Sequence, residues 1–400
     1  MHTELHPQLA GNREAEEAKS IIQACVHCGF CTATCPTYQH FHDERDGPRG
    51  RIYLIKQLLE NNEVSANTQK HLDRCLSCRS CETTCPSGVR YGRLVDIGRK
   101  MTEDRVPRSP LAKLQRQALR QFVPYEKRFG TLLKLGQVAR PVLPAALKAK
   151  VPVKRAASPW PVNSHPRKML ALRGCAQGMA TPNTNAAAAR VLDKLGITLA
   201  EEPNAGCCGA VDYHLSAHEA GLNAMRKNID AWWSAIEAGA EALVMTASGC
   251  GVMVKEYGEL LAQDSEYAAK AKRVSELTKD ISEVLLAEDL TQLKASVQTK
   301  TAFHCPCTLQ HGLQLSGKVE QILQQVGVPL TKTKDKHLCC GSAGTYSILQ
   351  AKTSQALLDK KLKALTIDAP EQIVTANVGC QLHLATKSEV PVKHWIELLA

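Results

Sequence analysis

CVHCGFCTATCP at residues 25–36 recurs fifty residues later as CLSCRSCETTCP at residues 75–86. In both copies three cysteines are spaced with two residues between them, and a fourth follows after three more residues, directly before a proline. Three cysteines at that spacing wrap a tight loop around one face of a cubic cluster, whereas the proline directs the fourth away from it. The repeated pattern therefore predicts two sites, each completed by the fourth cysteine of the other copy.

This spacing is typical of proteins that hold two [4Fe–4S] clusters. The first cluster is predicted to bind Cys25, Cys28, Cys31 and Cys85, and the second to bind Cys75, Cys78, Cys81 and Cys35. A zinc site typically takes its four ligands in two pairs, and structural disulfides do not suit a long chain without an export signal. Because such clusters pass single electrons, the motif predicts electron transfer.

The cysteine motifs lie in the first hundred residues, for which we predict a helical two-cluster ferredoxin domain at 1–100. Residues 101–165 are basic and rich in proline, which predicts short amphipathic helices and, after Pro141, an extended connector. Between the two motifs, after Asp46-Gly47-Pro48, apolar residues recur at helical spacing. They are Ile52, Leu54, Ile55, Leu58 and Leu59.

The remainder of the chain is an internal repeat, predicted to form two α/β domains at 166–290 and 295–400 with mostly parallel sheets. In each copy a short apolar strand ends at a cysteine, a helix leads to Cys-Cys-Gly, and a second strand ends at Gly-Cys. The cysteines therefore fall at strand ends, where α/β sheets place their sites. They are Cys175, Cys207, Cys208 and Cys250 in the first copy, and Cys307, Cys339, Cys340 and Cys380 in the second.

This order of motifs resembles the cysteine-rich-domain family. That family includes subunits of heterodisulfide reductase, anaerobic glycerol-3-phosphate dehydrogenase, lactate-utilisation proteins and glycolate oxidase. The details are most similar to the iron–sulfur subunits of glycolate oxidase. The matching motifs are GPRGRI at 47–52, GCAQG at 174–178, AGCCGA at 205–210, PCTLQHG at 306–312, CCGSAGTY at 339–346 and ANVGC at 376–380.

The resemblance implies an electron-transfer subunit of a glycolate oxidase (glycolate dehydrogenase) complex, which is not catalytic alone. A separate subunit with FAD would oxidise glycolate to glyoxylate, a second flavoprotein-like subunit would accompany it, and quinone would accept the electrons. The sequence has no Gly-x-Gly-x-x-Gly that opens a helix after a strand, and no P-loop. We therefore expect the flavin on the partner and not on this chain.

The sequence departs from the family pattern in one respect. Each unit of the full pattern ends in Cys-x-x-Cys, whereas Met253 and His383 occupy the last positions here. It stays open whether the eight cysteines of the repeat bind a further cluster or metal, contact quinone, or only pack in the core. Cys305 is an extra thiol, and His27 is expected to shape the surroundings of a cluster. Weaker candidate metal ligands are His304, His311, His337 and His383.

Other functions stay open at this point. Lactate or glycerol-3-phosphate could replace glycolate as the donor, because the substrate would bind to another chain. The protein could also be a thiol–disulfide reductase of the heterodisulfide type, with the Cys-Cys-Gly sites as its catalytic centres. A non-catalytic assembly scaffold is the third alternative.

Positive charge is concentrated around the connector. The net charge is +11, and eighteen Lys and Arg between Arg99 and Arg173 outnumber three acidic residues. Aromatic residues are not interleaved with these basic residues, so we expect no nucleic acid to bind here. The basic stretch could instead contact a partner subunit or a membrane surface, or could simply be a solvated face. The polar start does not resemble a signal peptide, and no 18-residue apolar run is present. These features predict a cytoplasmic protein, peripherally associated with the inner membrane.

Overall fold

The N-terminal part of the molecule is helical in the computed structural model, which describes residues 1–295 and 298–400. The predicted helix between the motifs is confirmed: it begins at Pro48, where proline suits the first helical turn, and buries Ile52, Ile55 and Leu58. The helices are α1 (Arg13–Gln23), α2 (Phe30–Ala33), α3 (Pro36–Phe41), α4 (Pro48–Asn61), α5 (Ala66–Asp73), α6 (Ser80–Thr84) and α7 (Tyr91–Glu103).

The basic connector contains α8 (Pro110–Phe122), α9 (Glu126–Ala139) and α10 (Ala145–Lys148). Helix α8 begins with Pro110 after the N-cap Ser109, whose hydroxyl accepts from the Ala112 amide at 3.4 Å. From residue 152 to 165 the segment after Pro141 has no helix or strand, whereas α10 lies at its start. The amide of Lys148 donates to the Pro144 carbonyl at 2.9 Å, so the proline precedes a single helical turn.

The first α/β unit has a four-stranded sheet in the order β2-β1-β3-β4, and all its pairings are parallel. Helix α14 carries Trp232 and Trp233. The strands are β1 (Arg167–Ala171), β2 (Ile197–Glu201), β3 (Leu243–Met245) and β4 (Thr278–Asp280). The helices are α11 (Gln177–Ala180), α12 (Asn183–Lys194), α13 (Ala210–His214), α14 (His218–Glu237), α15 (Ser248–Lys255), α16 (Tyr257–Leu260), α17 (Ala268–Leu277) and α18 (Ile281–Leu286).

The second α/β unit has a three-stranded parallel sheet in the order β5-β6-β7. A π-helical turn at Thr308–Gly312 follows its first strand. The strands are β5 (Thr301–His304), β6 (Gln372–Thr375) and β7 (Val392–His394), and the helices are α19 (Lys318–Gln325), α20 (Tyr346–Leu349), α21 (Ala351–Leu365) and α22 (Val378–Leu384). Helical domain followed by two parallel α/β units is the predicted fold class, and it is confirmed; the exact domain boundaries stay a prediction.

The two α/β units share one hydrophobic core. Met169 of β1 and Val191 of α12 belong to the same buried cluster as Phe303 of β5 and Trp395, which follows β7. The Nε2 atom of His394 also lies 2.8 Å from the Thr246 carbonyl oxygen of the first unit. The two repeated units are therefore packed against each other and are not independent domains with separate cores.

The helical N-terminal part contacts both α/β units. Arg93 Nη1 donates to the Tyr213 hydroxyl at 2.5 Å, and His214 Nδ1 lies 3.1 Å from the Asp96 carboxylate. On the second unit, the Thr83 hydroxyl lies 2.8 Å from His311 Nδ1. No described helix combines the length and the apolar character needed to cross a membrane.

Candidate iron–sulfur sites

The two cysteine loops adopt the same backbone conformation. In the first loop His27 (φ 60°) and Gly29 (φ 83°) are left-handed, and so are the equivalent Ser77 (φ 50°) and Arg79 (φ 59°) of the second. Such residues turn the chain sharply, and non-glycine residues adopt this conformation rarely. Each loop then enters a short helix, α2 or α6, and leaves through Cys-Pro. The repeated spacing therefore corresponds to a repeated shape.

Four cysteines from both motifs surround a single cavity. It is lined by Cys35 of the first motif together with Cys75, Cys78 and Cys81 of the second. All four are buried, and the Ser77 amide donates to Cys75 Sγ at 3.4 Å. Burial, with Cys307 and Cys35 as the next causes, raises the pKa of Cys78 well above its ordinary value. Such buried thiols lose their protons when a metal binds them, so the donor set fits a cluster.

The other predicted set lies closer to the surface. Burial and the neighbouring Cys25 raise the pKa of Cys31 to about 11, with smaller contributions from Cys35 and Cys85. Helices α2 and α6 meet beside it, where the Thr34 and Thr84 hydroxyls are 3.1 Å apart. Cys28 is exposed on the same loop. The structure thus brings Cys85 of the second motif to the cysteines of the first.

A buried arginine lies beside the inner set of cysteines, and sequence reasoning missed it. Arg51 is 1% exposed and lines the same cavity. Its Nη1 donates to the Thr37 hydroxyl at 3.1 Å, which is itself 3.3 Å from Cys35 Sγ. Burial opposes its charge, but Tyr91 and Cys75, followed by Cys35 and Asp46, hold the pKa of Arg51 above its ordinary value. The available signal was its place in the GPRGRI motif.

Asp46 balances this arginine only in part. Its Oδ1 lies 3.4 Å from Arg51 Nη2 and 2.9 Å from His71 Nδ1, and its Oδ2 accepts from Arg74 Nη1 at 2.7 Å. One carboxylate therefore serves two guanidinium groups and an imidazole. The positive groups around Asp46 therefore outnumber its single charge, an arrangement that suits anionic thiolates.

In the first α/β unit, the four predicted thiols form one group, in which Cys207 and Cys208 are buried and Cys175 and Cys250 are partly exposed. Cys207 hydrogen-bonds with Cys175 and Cys208, and Cys208 in turn with Cys250. Hydrogen bonds from Cys175 and Cys208 hold the pKa of Cys207 well below its ordinary value, and the Gly209 amide adds to this effect. Gly209 has φ +90°, and an added Cβ would lie 2.8 Å from the Gly221 carbonyl oxygen. Only glycine fits this turn without a shift.

The second unit repeats this arrangement. Cys307 Sγ lies 3.8 Å from Cys339 Sγ, and Cys340 hydrogen-bonds with Cys339 and Cys380. His304 also comes close, because its ring and the thiols of Cys340 and Cys380 lie within 4.8 Å of one another. Each Cys-Cys-Gly unit therefore brings four thiols together, which the spacing in the sequence indicated.

Lys361 adds a buried charge to the second group. It is 3% exposed, and its Nζ donates to the Asp335 carbonyl at 2.8 Å. Burial lowers the pKa of Lys361, whereas the nearby Cys340 and Cys339 oppose that change. Nothing in the spacing of the cysteines pointed to this lysine, because it comes from the middle of α21.

The remaining candidates are engaged elsewhere. His383 Nε2 lies 3.1 Å from the Ser354 hydroxyl, and His311 lies between Thr83 and the carbonyl of His337. His27 is exposed. Met253 packs in the core of the first unit, and Cys305 is buried with its Sγ 4.0 Å from the Pro306 carbonyl oxygen.

The inner N-terminal cysteines adjoin the thiols of the second unit. Cys78 and Cys339 belong to one buried cluster with Tyr346, and Cys307 packs against it. The Tyr346 hydroxyl donates to the Arg74 carbonyl at 3.1 Å and fixes this contact. The second Cys-Cys-Gly group therefore lies next to the inner cavity, a proximity that the sequence did not reveal.

Comparison with known proteins identifies both parts of the chain. Residues 21–89 match the 4Fe-4S dicluster domain, and residues 169–255 and 301–385 match the cysteine-rich domain. The chain is 56% identical to the glycolate oxidase iron-sulfur subunit of Escherichia coli (strain K12) over 400 residues, 100% of this chain and 98% of that protein. It is 29% identical to the probable glycolate oxidase iron-sulfur subunit of Bacillus subtilis (strain 168), over 90% of this chain and 87% of that one.

A solved structure shares the fold. The crystal structure of a hypothetical protein from Helicobacter pylori superposes with a TM-score of 0.57 at 11% identity, covering 96% of this chain and 71% of that one. At that identity the likeness concerns the fold alone. The relative from Escherichia coli, by contrast, matches over the full length of this chain. This chain belongs to the family of glycolate oxidase iron–sulfur subunits.

Proposed function

We propose that this chain is the electron-transfer subunit of a complex that oxidises glycolate to glyoxylate. The observation that carries the proposal is the cavity lined by Cys35 together with Cys75, Cys78 and Cys81, because it joins the two motifs in one site. Full-length similarity to a glycolate oxidase iron-sulfur subunit supports the choice of substrate. The chain itself does not oxidise glycolate; it receives and forwards electrons.

Two [4Fe–4S] clusters are proposed as the resident cofactors. Cys25, Cys28, Cys31 and Cys85 would hold the outer cluster, and Cys75, Cys78, Cys81 and Cys35 the inner one. Clusters of this type supply one-electron transfer. The chain's own residues bury the inner site, place Arg51 against it, and leave Cys28 of the outer site open to solvent.

A chain that carries electrons but does not oxidise glycolate needs partner subunits and an electron acceptor. A subunit with FAD takes the electron pair from glycolate, since a flavin accepts two electrons and releases them singly. A second flavoprotein-like subunit completes the complex, and quinone is the acceptor. We place the protein in the cytoplasm, peripherally at the inner membrane, and assign it no nucleic acid partner.

The two Cys-Cys-Gly groups are separate candidate sites for iron or another metal. Each brings four thiols together, and the second also brings His304. Iron counting on anaerobically purified protein tests them. A value of about eight irons per chain assigns all iron to the N-terminal cysteines, whereas a clearly higher value assigns iron to the repeat as well.

Substitution of one cysteine in each N-terminal set tests the function. In a complex with Cys28→Ala and Cys78→Ala, glycolate-dependent quinone reduction should fall at least about a hundredfold, because each cluster loses a ligand. Reduction of an artificial dye by the flavin subunit should persist.

Cys305→Ala is the matched control, since Cys305 is buried but lies outside both sets. It should retain its iron and its quinone reduction. Normal quinone reduction by the double variant would refute the proposal.

A further inference from the structure

Helices α8 and α9 expose apolar side chains that surface helices normally bury. None of the residues of α8 is buried, and in α9 Gly130 alone is. The exposed side chains include Leu111 (68%), Leu114 (63%), Leu135 (62%) and Val138 (81%). Single exposed leucines are ordinary, but a row of them along two adjacent helices indicates an interaction surface.

The exposed side chains follow one face of each helix. In α8, Leu111, Leu114 and Phe122 recur at helical spacing and point away from the protein. The opposite face of α8 is charged and faces inward: Arg116 pairs with Asp73 at 2.9 Å, and Arg120 pairs with Asp212 at 2.7 Å. The helix is thus reversed relative to an ordinary amphipathic surface helix, which buries its apolar face.

Helix α9 is held in the same manner. Glu126 at its start pairs with Arg173 at 2.9 Å, and Gly130 packs closely against Met179. Its outward residues are Leu132, Leu135 and Val138. Ion pairs to both the N-terminal part and the first α/β unit therefore present the apolar faces of both helices outward.

Basic residues frame this surface. Between Arg108 and Arg155 there are twelve Lys and Arg and one acidic residue, Glu126. Six of the lysines are exposed: Lys113, Lys127, Lys134, Lys148, Lys150 and Lys154. An apolar stripe with lysines around it matches an anionic lipid surface, where aliphatic side chains enter the acyl boundary and lysines meet phosphates.

We propose that the α8–α9 surface, residues 110–142, docks the protein onto a bilayer that contains anionic lipid. This inference builds on the peripheral membrane location proposed above and names the face that makes the contact. The helices lie in the plane of the interface and do not cross it.

Vesicle flotation of the holoprotein tests the proposal. We expect binding to vesicles of phosphatidylcholine with one part in three of phosphatidylglycerol, and at least about tenfold weaker binding to phosphatidylcholine alone. Raising the salt concentration should also weaken the binding, because surface charges are screened.

Two triple variants separate the apolar and the charged contributions. Leu111→Ser, Leu114→Ser and Leu135→Ser should reduce flotation at least about tenfold, and Lys113→Gln, Lys127→Gln and Lys134→Gln should do likewise. All six side chains are exposed, so the fold should be kept. The matched controls change exposed residues elsewhere: Ile348→Ser with Ile367→Ser, and Lys227→Gln with Lys318→Gln and Lys363→Gln.

Three results would overturn the proposal: no flotation of the wild type, equal binding to neutral vesicles, or equal losses in the controls. Loss of the flavin subunit from the triple-serine variant, without vesicle binding by the wild type, would instead make this face a protein interface. Iron content and dye reduction report on the proposed function independently, so a failure of either claim can be told from a failure of the other.

Discussion

Arg51 is the residue that distinguishes the two N-terminal cysteine sets. It is buried beside Cys35 and Cys75, while its carboxylate partner, Asp46, is shared with Arg74 and His71. Uncompensated positive charge near a cluster favours the reduced, more negative state. Arg49 lies beside the outer loop, but its side chain is partly exposed and is paired with Glu44 at 2.6 Å. The inner site should therefore hold an added electron more firmly than the outer one.

Replacing Arg51 with methionine tests this asymmetry. The midpoint potential of one of the two clusters should become more negative, by on the order of 50 mV for the loss of one nearby charge. The other cluster should shift less. A redox titration followed by electron paramagnetic resonance measures both potentials.

Arg45→Gln is the control for this variant, because Arg45 pairs with Asp43 at the surface of the same segment. It should leave both potentials unchanged. The Arg51 variant should also unfold more easily, by about 1–3 kcal/mol, since the buried Thr37 hydroxyl and the His71 carbonyl each lose a donor. Asp46 keeps Arg74 and His71 as partners. Two unchanged potentials in a variant that keeps its iron would contradict the assignment.

At the scale of elements, the last strand of each sheet ends in a residue that caps the helix after it. Asp280 ends β4 and caps α18 in a capping box with Glu283, and His394 ends β7 in a capping box with Glu397. The acceptor that caps α18 is a fully buried carboxylate. Burial raises the pKa of Asp280 to about 6, although hydrogen bonds from Ser282 lower it. Its Oδ2 has no hydrogen-bond partner among the described residues.

The raised pKa of Asp280 makes the stability of the fold depend on pH. The folded state binds the Asp280 proton more tightly than the unfolded state, so stability falls as the pH rises from about 4 to about 6 and is level above that. Asp280→Asn removes the buried charge and keeps Oδ1 as the cap acceptor. At pH 7.5 the variant should be more stable by about 1–3 kcal/mol.

Denaturant unfolding at two pH values checks this expectation. The advantage of Asp280→Asn should shrink at pH 5 because the wild-type carboxyl is then largely protonated. A suitable control is Asp289→Asn, which changes an exposed cap acceptor with a lowered pKa. An Asp280 variant that is no more stable than the wild type at pH 7.5 would argue against a buried, charged cap.

The sequence predicted those helices and strands that have a clear hydrophobic pattern. The apolar runs of β1, β3, β5 and β6 were recognised, as was the periodicity of α4. Strands β4 and β7 were missed because Thr278–Asp280 and Val392–His394 are short and polar, and only their neighbours make them strands. Strand β2 begins with alternating apolar and polar residues, Ile197, Thr198 and Leu199, a pattern typical of a half-buried strand.

The candidate sites show the same division. The spacing of the cysteines predicted three ligands of each N-terminal site, because those three lie on one local loop. The repetition of the motif predicted the fourth ligand, which comes from the other loop. The roles of Arg51, Lys361 and Tyr346 depend on contacts between distant segments, which no local pattern encodes. The proximity of Cys78 to Cys339 is of this kind, since 260 intervening residues must fold before the two can meet.

At the scale of the whole molecule, the N-terminal part depends on the α/β units and they on it. Cys25, Cys75 and Cys81 are part of the helical core, so cysteine loops and helices are packed together. The same loops reach outward, with Tyr346 bound to the Arg74 carbonyl and Arg79 paired with Glu256. Loss of the metal should therefore also destabilise residues outside the helical N-terminal part.

Removal of iron with a chelator tests this coupling. Amide hydrogen exchange should increase at residues 70–90 and, through Tyr346 and Leu357, at residues 339–357 of the second unit. Helix α17 is the internal control, since it packs within the first unit. Increases confined to residues 1–103, or equal increases throughout, would contradict the coupling.

The common core of the two repeated units also has an evolutionary consequence. Phe303 and Trp395 fill space between side chains of the other copy, such as Met169 and Val191. Deleting or exchanging either copy would leave a cavity in the hydrophobic core of the other copy. A mutation that enlarges a side chain in one copy needs space that the other copy occupies, so we expect substitutions in this shared core to be compensated across the two copies.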